Sequence, residues 1–167
     1  MSQLPWSFLQ TGVRRSWTVL QFSAFIPPPK PDPNTYWVIP DKLLAGEYPG
    51  DRDPEEARRR LRRFLVAGVR HFIDLTEVGE LRPYAELLTE EAGSRTSYER
   101  FSIRDGSVSD EPKTMGEIIA AIDRAMAEGG VTYVHCRAGI GRTGLAVACW
   151  LQERGQTPDE ALTDLAG

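Results

Sequence analysis

Cysteine is scarce in this chain: Cys136 and Cys149 are the only two. Two cysteines do not build a disulfide framework. Lysine occurs only as Lys30, Lys42 and Lys113, so arginine supplies nearly all the positive charge. An overall basic balance is also missing. The net charge is −4, which argues against a general nucleic-acid binder while leaving room for a local basic pocket. There is no run of about 18 apolar residues, which argues against a transmembrane helix. Internal repeats are absent. The 167 residues suffice for one domain with a sizeable core.

The N-terminal region carries Arg14-Arg15 ahead of SWTVLQFSAF. This has some look of a twin-arginine export signal. The apolar part is short, however, and PPPKPDP follows where a cleavage site would stand. The region reads instead as an arm that lays Trp17, Leu20, Phe22 and Phe25 on the domain, in a cytoplasmic protein. Pro27 to Pro33 should be extended and free of helix. We therefore divide the chain into an arm and proline-rich linker, residues 1–33, and a catalytic body, residues 34–167.

In the body, YWVIPDKLLAGEYPG reads as short strands and turns. Pro54 opens a helix through Ala67, with Ala57, Leu61, Phe64 and Leu65 on one face. Arg58, Arg59, Arg62 and Arg63 lie largely away from that face. They read as a solvated surface, with Glu55 and Glu56 four residues before Arg59 and Arg60. Gly68 ends the helix. Val69 to Leu75 reads as a buried strand that includes His71, and Pro83 to Ala92 as a helix. Ser97 to Ile103 alternates like a strand. Pro112 to Glu128 is a long helix with Met115, Ile118, Ile119, Ile122 and Met126 as core positions. VTYVH is a further strand, Thr143 to Arg154 a helix, and Thr157 caps another. Strands alternating with helices imply an α/β fold: a mostly parallel central sheet with helices on both faces. Ligands in such sheets bind beyond the carboxyl ends of the strands.

At one such end stands HCRAGIGRTG, His135 to Gly144. A strand, a glycine-bearing turn and a helix N-terminus together make an anion cradle of backbone N–H groups. Gly139 and Gly141 permit backbone conformations that a side chain would resist. Arg142 can grip two oxygens of a phosphate through its planar fork. Thiols at helix N-termini and beside cations ionise readily. A thiolate at Cys136, inside a phosphate cradle, is a nucleophile aimed at phosphorus. Cys149, inside LAVACWL, reads as a buried structural cysteine. It lies about 10 Å along the helix from Cys136, beyond bridging range.

The stretch resembles the His-Cys-x5-Arg-Ser/Thr signature of the cysteine-dependent protein-tyrosine and dual-specificity phosphatases. The likeness extends more loosely from Tyr36 to the end of the chain. It implies a dual-specificity phosphatase-like fold and a two-step displacement without metal or other cofactor. Cys136 would attack phosphorus, while Arg142 and the loop residues Arg137, Ala138, Gly139, Ile140 and Gly141 hold the phosphate oxygens. Thr143 would donate a hydrogen bond to Cys136 as sulfur leaves, and His135 would brace the loop. The resemblance also demands an upstream aspartic acid. Ile-Arg-Asp resembles the acid loop of small dual-specificity enzymes, which selects Asp105; Asp110 reads as a turn or capping carboxylate.

The acid precedes the cysteine loop, opposite to the order in low-molecular-weight tyrosine phosphatases. Five residues separate Cys136 from Arg142, more than rhodanese-like sulfurtransferases usually have. The partner is therefore expected to be a phosphorylated protein or a small phosphomonoester. The lysine-free loop favours a phosphoprotein carrying phosphotyrosine, phosphoserine or phosphothreonine. A phosphoinositide or inositol phosphate is the alternative substrate, and a catalytically idle phospho-binding module is the alternative class. Nothing in the sequence indicates the oligomeric state.

Overall fold

The computed structural model describes residues 27–105 and 112–156. The expected arm residues, Asp110 and the helix capped by Thr157 lie outside them. The elements run β1 (Thr35–Ile39), β2 (Leu43–Gly46), α1 (Pro54–Val66), β3 (Val69–Asp74), α2 (Ala85–Ala92), β4 (Ser97–Arg100), α3 (Pro112–Glu128), β5 (Val131–His135) and α4 (Gly141–Gln152). They build a five-stranded sheet in the order β1-β2-β5-β3-β4. Only β1 is antiparallel to its neighbour; β2, β5, β3 and β4 run parallel.

Adjacent strand residues face opposite layers, and the helices cover both. Leu44, Phe72 and Tyr133 meet Leu61 and Phe64 of α1 and Leu88 of α2. Leu43, Ile73 and Val134 meet Ile118 and Ile122 of α3 and Val147 and Trp150 of α4. Each such aliphatic or aromatic side chain contributes about 1.5–3 kcal/mol by leaving water. Trp150 donates Nε1–H to Asp123 Oδ1 at 3.0 Å and fastens α4 to α3.

Helix α1 begins where the sequence says it should. Asp53 caps it by accepting from Glu55 N at 2.9 Å, Pro54 occupies the first turn, and Gly68 ends it at φ +89°. Its arginines differ from expectation. Arg58 and Arg62 bridge to Glu90 and Glu91 of α2 at 2.6 and 2.7 Å. Arg60 turns inward to Asp32 and Glu47, at 3.2 and 2.5 Å, and not to Glu56. Asp32 thereby ties the proline-rich segment to the body, since Arg63 also reaches it at 3.0 Å.

Several element ends shift by one to three residues, and two of these shifts bear on the site. Strand β4 ends at Arg100, three residues short of Ile103. The segment after it still bonds across, with Phe101 N on Asp74 O and Ile103 N on Leu75 O. The Ile103 carbonyl is taken by a side chain instead of a ladder partner. Helix α4 starts at Gly141, two residues early, so Arg142 sits in its first turn. Cys149 is only partly buried.

Candidate active site

Strand β5 lies at the centre of the sheet, and every one of its residues is buried. At its end His135 is level with Gly46 of β2 and Asp74 of β3. Cys136 follows directly, only 3% exposed. The chain then turns through Arg137, Ala138, Gly139 and Ile140 and enters α4.

The turn is fixed by close backbone approach. Gly139 has φ +75°, and a Cβ there would collide with the backbone of Gly46 and Glu47. Tyr48 N donates to Arg137 O at 3.3 Å, and Tyr36 Oη to Gly139 O at 3.4 Å. Burial first, then the nearby Cys136 charge, pushes Tyr36 up to about 12, so it remains a neutral donor. Gly141 corrects the sequence expectation: its φ is ordinary and nothing crowds it, so the loop's conformation does not require a glycine there. No side chain caps α4. The first N–H groups of a helix have no intrahelical acceptor, and the dipole makes that end electropositive.

Arg142 is 3% exposed and held on one edge. Its Nη1 and Nη2 donate to the two Glu80 oxygens, each at 2.7 Å. Nη1 also reaches Ile103 O at 2.9 Å and Leu75 O at 3.4 Å. Glu80 above all, with Cys136 and Asp105 adding, raises the affinity of this guanidinium for its proton. Arg142 likewise lowers the Glu80 pKa. The opposite edge of the guanidinium is different: Nε is buried and meets no hydrogen-bond partner. The same is true of the Thr143 hydroxyl, which is fully buried. Buried donors without partners cost about 1–3 kcal/mol each. Asp105 stands at the mouth, 62% exposed in its side chain, with Oδ1 3.4 Å from Arg142 Nη2. The structure thus brings Cys136, Arg142, Thr143 and Asp105 to one place. His71 stands apart, bonded to Ser97 Oγ at 2.8 Å and Gly129 O at 2.9 Å.

Beneath the loop is a floor of which the sequence reading named only His135. Asp74 is fully buried. It accepts from Thr76 N and Oγ1 at 2.9 and 2.7 Å, Tyr98 Oη at 2.7 Å and Arg100 Nη2 at 2.8 Å. Burial alone would raise its pKa; His135 and the Tyr98 and Thr76 hydrogen bonds outweigh that and lower it. His135 is also fully buried, with Nε2 2.6 Å from Tyr84 Oη and Nδ1 3.9 Å from Asp74 Oδ1. Burial depresses its pKa from 6.5 to about 4, against the pull of Asp74, so the ring is neutral. Glu80, Asp74 and Tyr84 sit in no recognisable spacing. An acid inside the otherwise apolar end of the strand VRHFIDL, Asp74, was the one available signal.

The depressed His135 pKa makes a stability prediction. The unfolded chain takes up this proton near pH 6.5 and the folded chain near 4. The contribution is therefore complete above pH 6.5 and is lost as pH falls toward 4. Urea unfolding should show a decline of up to about 3 kcal/mol across that window. His135→Gln should flatten it. A parent curve that is level from pH 6.5 to 4.5 would contradict the buried neutral ring.

A family model described as Swiss Army Knife protein, DSP-PTPase phosphatase domain (PTP-SAK), matches residues 32–166. The protein 067L of Invertebrate iridescent virus 3, named as a tyrosine phosphatase, is 29% identical over 120 residues. That alignment covers 69% of this chain and 44% of the relative. The mouse protein tyrosine phosphatase domain-containing protein 1 is 30% identical over 125 residues, covering 69% of this chain and 16% of its own length. The chain thus spans less than half of either curated relative. Among solved structures, a mutant form of Tk-PTP matches with a TM-score of 0.62 and 25% identity, over 80% of this chain and 81% of that one. The family match spans the sheet, the loop from Cys136 to Thr143 and the floor beneath it, and this chain belongs to the DSP-PTPase phosphatase domain family of Swiss Army Knife proteins.

Proposed function

We propose that the protein hydrolyses phosphomonoesters through a cysteinyl-phosphate intermediate. The observation that carries this is the pair of buried, unpartnered donors, Arg142 Nε and Thr143 Oγ1, beside a cysteine at a helix N-terminus. In the first step Cys136 Sγ bonds to phosphorus as the ester P–O bond breaks. The departing oxygen takes the Asp105 proton. Arg142 and the loop N–H groups hold the equatorial oxygens. In the second step water attacks phosphorus and gives a proton to the Asp105 carboxylate, and the S–P bond breaks. Thr143 donates to the returning thiolate. Glu80 holds the far edge of Arg142, so the guanidinium plane is set before substrate arrives.

Turnover of para-nitrophenyl phosphate in EDTA tests this. A phosphatase releases the phenolate and is inhibited competitively by vanadate. An idle phospho-binding module takes vanadate but leaves the ester intact, and that result would overturn the proposal. The lysine-free loop supports a phosphoprotein substrate.

Asp105→Asn tests the acid. Its loss should matter most where the leaving group is poor. We expect kcat on a tyrosyl or alkyl phosphate to fall about 10²-fold. On a dinitrophenyl phosphate, which barely needs the proton, it should fall less than about threefold. The basic limb of the pH–rate profile should flatten. Equal losses on both esters would show that the acid is another group, with Asp110→Asn the next variant to measure.

A further inference from the structure

The cysteine loop leans on one short stretch of chain. Gly139 lies so close to the backbone of Gly46 and Glu47 that a Cβ there would collide with it. Arg137 O accepts from the next residue, Tyr48 N, at 3.3 Å. Gly46 is pressed from the other side as well, where a Cβ would meet Asn34 O and Thr35. Residues 46–48 are therefore a wall between the cysteine loop and the segment that leads out of the proline-rich linker. Whatever fixes that wall fixes the loop.

Behind the wall stands a charged cluster. Glu47 Oε1 accepts from Arg60 Nη2 at 2.5 Å, and its Oε2 from Asn34 Nδ2 at 2.8 Å. Its backbone is held too: N–H donates to Asn34 O at 3.1 Å, and the carbonyl accepts from Tyr133 Oη. Arg60 spreads its fork in three directions. Nη2 goes to Glu47, Nη1 to Gly50 O at 3.3 Å and Nε to Asp32 Oδ2 at 3.2 Å. Asp32 is buried, and its carbonyl in turn accepts from Thr35 N and Oγ1 at 3.2 and 2.7 Å. One guanidinium thus ties the linker, the wall and the chain beyond the wall. Two carboxylates converge on Arg60, and Arg63 adds a second cation at Asp32. Buried ion clusters contribute little net stability, because desolvation offsets the attraction. A planar fork bonded in several directions supplies fixed geometry instead.

We propose that Arg60, with Asp32 and Glu47, is a positioning unit for the cysteine loop, so that the linker residue Asp32 is a working part of the site. Its kinetic consequence rests on the phosphomonoester reading; its effect on anion binding does not. Without the Arg60 fork, residues 46–48 are no longer drawn against the linker side. Gly139 and Arg137 then lose the surface that sets their backbone, and the N–H groups of the cradle lose register with Arg142. A misplacement of about 1 Å can cost about 10²-fold in rate.

Arg60→Lys tests this, because a lysine keeps the charge but cannot span the three acceptors. It is expected to weaken calorimetric vanadate binding about tenfold and to lower kcat/KM on para-nitrophenyl phosphate by a similar factor. The backbone amide resonances of Arg137 and Gly139 should move with it in heteronuclear NMR spectra. Arg62→Lys is the control. It loosens a bidentate pair on the side of α1 that faces α2, Arg62 with Glu91 at 2.7 and 2.8 Å, and should leave all three readouts at parent values. Glu47→Gln keeps the shape, removes the charge and should reproduce the Arg60→Lys losses; it carries the test alone where Arg60→Lys does not fold. Circular dichroism fixes a temperature at which every variant compared is folded. A folded Arg60→Lys or Glu47→Gln with parent vanadate affinity and unmoved loop resonances overturns the proposal, as does a lowered melting temperature with parent kinetics. Losses matched by Arg62→Lys overturn it as well. Failure of both cluster variants to fold would make the cluster a folding element and also overturn it. Absence of para-nitrophenyl phosphate turnover in the parent overturns the phosphatase reading alone, since vanadate affinity and the loop resonances still decide the positioning role.

Discussion

Cys136→Ser is expected to lower turnover of every substrate by about 10⁴-fold or more while leaving vanadate and phosphate affinity nearly unchanged. The two halves of this result come from different atoms. In the proposed mechanism the cradle would bind its anion through Arg142 and the N–H groups at the start of α4, and neither depends on sulfur. The substitution changes one atom and keeps the volume, so the buried site should not reorganise. Only the proposed nucleophile is lost, since a serine hydroxyl is a far weaker nucleophile than a cysteine sulfur in the same place. Initial rates on para-nitrophenyl phosphate, paired with calorimetric vanadate titration, would measure both halves. Residual turnover near a hundredth of the parent would remove Cys136 from the chemistry. Loss of vanadate affinity would instead mean that the sulfur shapes the cradle.

Arg142→Lys is expected to fail as badly as Arg142→Ala, each losing about 10³-fold in kcat/KM. The reason lies in the two edges of the guanidinium. One edge is spent on Glu80 and the Ile103 carbonyl, and the other presents Nε to the phosphate. A lysine ammonium has the charge but no second edge. Drawn to Glu80 it abandons the phosphate; drawn to the phosphate it abandons Glu80 and leaves a buried carbonyl unpaired. Unlike Cys136→Ser, both variants should weaken vanadate binding. Near-parent turnover in Arg142→Lys would show that charge alone suffices there.

Much of this architecture could be read from the chain, for identifiable reasons. Pro54 after Asp53 and Gly68 at the end bracket α1 because capping and left-handed backbone are local chemistry. Cys136, Arg142 and Thr143 were legible because a strand, a turn and a helix lie in one uninterrupted stretch. Glu80 was not. Its partner lies 62 residues away, and no periodicity marks an acid in an irregular loop. Arg60 was misassigned to Glu56 because helical spacing favours neighbours, whereas packing offered Asp32 and Glu47. Beyond the early end of β4, the Ile103 carbonyl accepts from Arg142, a partner invisible in sequence. Asp74 read only as one residue inside the strand Val69 to Leu75, and its role appears only when Tyr98, Arg100 and Thr76 surround it.

That buried carboxylate has a consequence for how the molecule opens. Asp74 closes β3, takes its partners from β4, and faces the last residue of β5. Separating these strands breaks several hydrogen bonds to a buried charge at once, which makes a local opening here costly. The amides of Ile73, Val134 and His135 beneath the cysteine loop are therefore expected to exchange with solvent deuterium through global unfolding. Their exchange rates would report the global unfolding free energy, which puts the slowest exchange expected among the described residues directly under the candidate nucleophile.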